Sequence, residues 1–228
     1  MASSPSAEKA IPYALLGMTV VTGLVDAVSF LSLGRVFTAN MTGNVVLLAF
    51  ATAHVSGLSI ARSLTALLAF LVGGILGGRV MARVSADSQI RFAAQAFLPE
   101  VAFLFAASFC GIGYRGDLLE DSFQPFALIA LTALAMGTRN AAVRKLAIPD
   151  LTTTVLTLTI TGIGADSSLA NGNNPRLARR VESVAAMFLG AALGAAVIHY
   201  SISAALWLAT AISAACSAAL FLSVRTSN

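Results

Sequence analysis

Asp26 is a lone acid in a stretch, 11–33, whose other members are apolar or carry only a hydroxyl. Thr19, Thr22 and Ser29 stand seven, four and three residues from it, so on a helix all four share one face. An ionisable side chain at membrane depth is costly and marks either a proton relay or a buried ion pair. Arg139, with Asn140 behind it, is the opposite charge in the second half of the chain and a candidate partner for Asp26. Glu100 follows Pro99 in a further apolar stretch, where the proline frees a carbonyl and can kink the helix. It is a second candidate for proton coupling.

A different polarity gathers in "TANMTGN" (38–44) and "LTTTVLTLT" (151–159). Thr38, Asn40, Thr42 and Asn44 in the first, and Thr153, Thr154 and Thr157 in the second, are short side chains that can cap a helix start or hold a solute. Pro149 and Asp150, just before the second cluster, suit the first turn and the N-cap of a helix. Each cluster follows a long apolar stretch. The structural alternative is that these residues only cap helices and hold spans together.

Catalysis has no such foothold. Paired carboxylates with a histidine, a His/Cys metal cluster, or a nucleophile with its base are all missing from the pattern, so neither an enzyme, a metal nor a cofactor is expected. His54 and His199 fall near span ends. Cys110 and Cys216 lie inside apolar stretches and read as small buried residues. The net charge of +4 does not come from a basic surface able to take nucleic acid, because the basic residues lie at span ends.

The elements that must position these residues follow from composition. Of 228 residues 57% are hydrophobic and 11% charged, too little charge to cover a soluble domain. Stretches of about 20 apolar residues, enough to span hydrocarbon, recur at 11–33, 63–84, 91–113, 123–143, 181–200 and 202–224. The expectation is an all-α membrane protein with six transmembrane helices and a lipid bilayer as its surroundings. The polar segment 1–10 lacks the basic start and cleavage site of a signal peptide and is expected to be a loose tail.

The halves echo each other. "AFLVGGILGGRV" (69–80) matches "AMFLGAALGAAV" (186–197) at an offset of 117, and "GLVDA" (23–27) matches "GTRNA" (137–141) at an offset of 114. The two Thr-rich clusters lie between these matches, in the same order. Repeat 1 is therefore 11–116 and repeat 2 is 117–228, each with three spans and one half helix, at 38–55 and 152–168. If the half helices enter and return on one side, eleven of fourteen Lys and Arg residues share a side and only Arg35, Arg62 and Arg115 lie opposite. The positive-inside rule then favours six spans with both termini cytoplasmic. Three spans per repeat makes the second repeat inverted, a recurrent transporter design. Opposed half-helix starts, each with unpaired N–H groups and a partial positive charge, would meet near the midplane as a polar, anion-favouring pocket. Gly73, Gly74, Gly77, Gly78, Gly190 and Gly194 let helices approach closely, within the chain or at the seam of a homodimer.

"GLVDAVSFLSLGRVFTANMTGNVVLLA" (23–49), together with "GTRNAAVRKLAIPDLTTTVLTLTITGIGAD" (137–166), resembles the signature of the YoaK family, a bacterial membrane family labelled as a domain of unknown function. The likeness runs over nearly the whole chain. It departs at Leu158, where relatives often carry Gly. It implies a six-span protein of the bacterial inner membrane and no established substrate. The expected function is a secondary transporter or permease of a small polar or anionic solute. A passive channel and a non-transporting scaffold are the alternatives.

Overall fold

The structure, a computed structural model, describes residues 5–84, 89–116 and 123–226. In chain order the helices are α1 (Pro5–Ser32), α2 (Met41–Thr52), α3 (Ile60–Arg83), α4 (Gln89–Ala96), α5 (Leu98–Cys110), α6 (Phe123–Leu146), α7 (Thr157–Ala165), α8 (Leu177–Ile198) and α9 (Ile202–Thr226). Among the described residues there is no strand. Six stretches are long and apolar enough to cross a membrane: 10–32 of α1, α3, α4 with α5, α6, α8 and α9. In hydrocarbon every backbone N–H and C=O must be bonded internally, which a helix achieves alone. The expected class, a six-span helical membrane protein, is the one observed.

Local chemistry sets the boundaries. Asn40 caps α2 by accepting from the Gly43 N–H (3.3 Å), and Ser59 caps α3 by accepting from the Arg62 N–H (3.3 Å). Pro99 breaks the expected span 91–113 into α4 and α5, because a proline cannot donate within the ladder and its ring crowds the preceding turn. The first half helix, expected over 38–55, is helical at Met41–Thr52. The second, expected over 152–168, shrinks to Thr157–Ala165. Asp150 and Thr153 adopt positive φ (64° and 61°), which no helix tolerates, so Asp150 does not cap α7. Residues 1–4 of the expected tail, and the repeat boundary at 117, lie outside the described residues; α1 already begins at Pro5.

At 1.5 Å per residue, α2 and α7 are roughly 18 and 14 Å long, against about 30 Å of hydrocarbon. Arg62, near the start of α3, lies against Gly34, just past the end of α1. Tyr114, beyond α5, donates from its hydroxyl to the Ser32 carbonyl at the end of α1 (3.1 Å). Gln124, at the start of α6, donates to the Cys110 carbonyl at the end of α5 (2.7 Å). The end of α1, the start of α3, the end of α5 and the start of α6 therefore lie together.

Glycines let the backbones touch. A methyl on Gly73 or Gly77 of α3 would strike the backbone of α6 at Leu134 or Thr138; one on Gly190 or Gly194 of α8 would strike α1 at Val20 or Leu24. Gly23 of α1 meets Met187 and Ala191 of α8, while Gly137 of α6 meets Phe70 and Gly74 of α3. Each contact maps onto another by the offsets 114 (α1 to α6) and 117 (α3 to α8). α1 and α6 form the buried centre, with Leu24, Val28, Leu128, Ile129 and Met136 wholly enclosed against α5 and α9.

Candidate functional site

The half-helix starts meet at a cavity of about 890 Å³ beside α1 and α8. Asp26, Asn40 and Thr42 line it from the first half, and Thr154 and Thr157 from the second. Gly23 and Ala27 form the α1 wall, and Met187, Ala191 and Ala195 the α8 wall. Asn40, Thr42 and Thr157 are exposed in it, and Asp26 is half-buried.

Asp26 is positioned by α1 and spends one carboxylate oxygen on the chain that leads into α2. Its Oδ1 accepts from the N–H groups of Ala39 (2.9 Å) and Thr38 (3.2 Å). Those donors point at the end of the loop because residues 33–40 are not helical. Asn44 closes the same loop from inside, accepting from the Phe37 N–H (2.9 Å) and donating to the Phe37 carbonyl. Phe37 stacks on Phe30 with ring centroids 4.9 Å apart. The polar run is thus held as a rigid return, with Asp26 and Asn44 as its two clasps.

The second half carries a neutral residue where the first has Asp26. Asn140 holds the place of Asp26, and its Oδ1 accepts from the Thr154 hydroxyl (2.8 Å). Thr38 and Thr153 sit at matching places in the two loops, and both hydroxyls are buried without a protein partner. The N-cap of α7, Leu156, makes no side-chain cap, and Leu156 and Thr157 both line the cavity.

Arg139 does not pair with Asp26. It is fully buried and forms an ion pair with Glu100 (3.2 Å), also fully buried, and donates to the Met18 carbonyl (2.7 Å) and to the Thr22 hydroxyl. The reason is rotational: one residue turns a helix by about 100°, so Asn140 turns towards Thr154 while Arg139 faces α1 and α5. Glu100 Oε2 and Arg139 Nε lack a protein partner. Of the expected site residues, then, Asp26, Asn40, Thr42, Thr154 and Thr157 share one cavity. Asn44, Thr38 and Thr153 are turned into the protein, Asn140 abuts the site through Thr154, and Glu100 with Arg139 forms a separate buried pair.

Sequence reasoning missed two features. The Phe30–Phe37 stack carried no pattern of its own. The clasp of the second loop is ionic: Asp150 accepts from Arg176 (2.6 Å) and Arg180 (3.1 Å), and Arg180 also pairs with Asp166 (2.7 Å) and donates to the Gly162 carbonyl (2.6 Å). Burial works against ionisation of Asp150, yet the hydrogen bonds and charges of the two arginines outweigh it and hold the carboxyl below its usual range. The signal was an acid at a loop start and a basic pair 26 and 30 residues on, too distant for any local pattern. Among the described residues no group of three or more His, Cys, Asp or Glu is placed to hold a metal ion.

A match over 36% identical positions and 156 residues links the chain to "UPF0700 transmembrane protein YoaK" of Bacillus subtilis (strain 168), over 68% of this chain and 66% of the relative, just under two thirds of its length. No solved structure matches. The family described as "Protein of unknown function (DUF1275)" matches residues 14–219, spanning both halves and every residue of the cavity, and the chain belongs to that family.

Proposed function

We propose that the protein is a secondary transporter, a permease of a small polar or anionic solute, built as two inverted repeats in the bacterial inner membrane with both termini in the cytoplasm. The observation that carries the reading is the 890 Å³ cavity lined jointly by the starts of α2 and α7 and by Asp26. Non-helical backbone at membrane depth survives where it is buried in protein or lines a water-filled space. Here it lines a space. The inverted arrangement is supported by α2 and α7 being too short to cross, by the end of α1 lying beside the start of α3, and by the paired glycine contacts. No catalytic role is part of the proposal.

Asp26 refines the solute class. It already takes the donors before α2, so anion capacity rests on the uncapped start of α7, while Asn40, Thr42 and Thr157 suit any small hydrogen-bonding solute. A carboxylate with one oxygen engaged and its side chain half-buried at the cavity wall suits proton coupling. A passive channel would share the cavity but make no use of a titratable group.

The test is uptake by proteoliposomes from a panel of small polar solutes under an imposed pH gradient. The expected outcome is pH-driven uptake of some solute class that Asp26→Asn abolishes while solute exchange persists. Uptake that is indifferent to Asp26→Asn points to a passive channel. A folded protein that moves none of the panel, with no flux above empty vesicles, supports a scaffold.

A further inference from the structure

We propose that the groove between α3 and α6 holds one anionic phospholipid, its phosphate at Arg144 and an acyl chain along Gly74 and Gly78. The groove is a cavity of about 560 Å³, lined on α3 by Phe70, Leu71, Gly74, Ile75 and Gly78 and on α6 by Gly137, Asn140, Ala141 and Arg144. It is the repeat partner of the wall of the solute cavity. By the offsets 114 and 117, Gly137, Asn140 and Ala141 correspond to Gly23, Asp26 and Ala27, and Phe70, Gly74 and Gly78 to Met187, Ala191 and Ala195.

Three of the differences between the two grooves bear on what each could hold. Asn140 replaces the acid, so none of the described residues lining the α3–α6 groove repels a phosphate. Arg144 stands where the first half has Phe30. Phe30 stacks on Phe37 beside its groove, whereas Arg144 is exposed and forms no ion pair among the described residues. The half helices line the α1–α8 groove and contribute no residue to the α3–α6 one.

Charge and shape together favour a lipid. Leu71 and Ile75 are 60% and 49% exposed on a span whose surroundings are lipid tails. Nothing lies within 4 Å of a methyl placed on Gly74 or Gly78. The groove runs from Phe70 in the middle of α3 to Arg144 in the last turn of α6, the geometry of a tail below a headgroup. Arg79 and Arg83 extend the positive mouth along α3, both exposed. Among the described residues no carboxylate lines it. Basic pockets between spans on the cytoplasmic side are established settings for anionic headgroups. The choice of leaflet rests on the six-span orientation; the site itself does not depend on transport.

The experiment is native mass spectrometry of the full chain in mild detergent after exchange into phosphatidylglycerol or phosphatidylcholine. The wild type is expected to retain one phosphatidylglycerol and to prefer it over phosphatidylcholine, and inorganic phosphate should not displace it. Arg144→Gln should cut that preference about fivefold, the worth of one cation near a charged surface. Gly78→Leu should fill the groove and remove the adduct, and because open space surrounds Gly78 its unfolding temperature should stay near the wild-type value. Gly74→Leu is the second filling variant if Gly78→Leu fails to fold. Equal retention of the two lipids, an adduct that survives both fillings, displacement by phosphate, or a dimer in place of the adduct overturns the proposal.

Discussion

Arg139 is the largest fully buried side chain among the described residues, and its partner Glu100 is buried equally. A charge at this depth is tolerated only while its partner is present. Removing one member of such a pair typically costs about 3–5 kcal/mol, whereas replacing both by apolar groups of similar volume is often near neutral. Glu100→Ala should therefore lower the thermal unfolding temperature in detergent sharply, and Glu100→Leu with Arg139→Met should recover most of the loss. Asp26→Asn, which keeps an acceptor for the Ala39 and Thr38 N–H groups, should unfold close to the wild type. If Asp26→Asn proves as damaging as Glu100→Ala, Asp26 is a structural charge and not a coupling one. The sequence made all three ionisable residues visible, since each interrupts an apolar run. It could not say which would pair, because a rotation of about 100° between Arg139 and Asn140 decides it.

At the scale of elements, the packing is decided by which glycines face a backbone. Gly73 and Gly190 face carbonyls of α6 and α1, while Gly74 faces open space. Gly190→Ala and Gly73→Ala should each destabilise by about 1–3 kcal/mol or more, the usual range for overpacking, because a backbone carbonyl cannot step aside. Gly74→Ala should leave the unfolding temperature unchanged or raised, since alanine favours helix over glycine by roughly 1 kcal/mol. Equal effects at Gly73 and Gly74 would contradict the packing described. The six spans were legible because apolar length is read directly from the sequence. The extents of the half helices were less so: α7 loses its expected first turn to a loop with positive φ at Thr153, a loop whose Asp150 side chain is held by the distant arginines Arg176 and Arg180. Asn40, Thr42, Thr154 and Thr157 were legible as members of two polar clusters, and Asp26 as a lone acid in an apolar span. Their division from Thr38, Asn44 and Thr153, which turn inward, depends on a loop conformation that no periodicity describes.

At the scale of the whole molecule, the account stands on two returns of the chain. If α2 and α7 each enter and leave on one side, Ser56, exposed between α2 and α3, and Asn171, exposed between α7 and α8, lie on opposite faces. In a variant with Cys110 and Cys216 replaced, Ser56→Cys should react with an impermeant thiol reagent in whole cells and Asn171→Cys only in inside-out vesicles. Labelling of both from the same face would remove the inverted arrangement. Transport asks something narrower: that the starts of α2 and α7 line one water-filled space. Thr42→Cys and Thr157→Cys place one thiol on each wall, and Ser213→Cys places one where the side chain is wholly buried. The most direct measurement is the reaction rate of these three single thiols with a small charged methanethiosulfonate in sealed membranes of known orientation. Thr42→Cys and Thr157→Cys should both react, modifying either should slow solute flux, and Ser213→Cys should stay inert. If Thr42→Cys and Thr157→Cys are as inert as Ser213→Cys in the folded protein, the space between the half helices is dry and the transporter account is wrong.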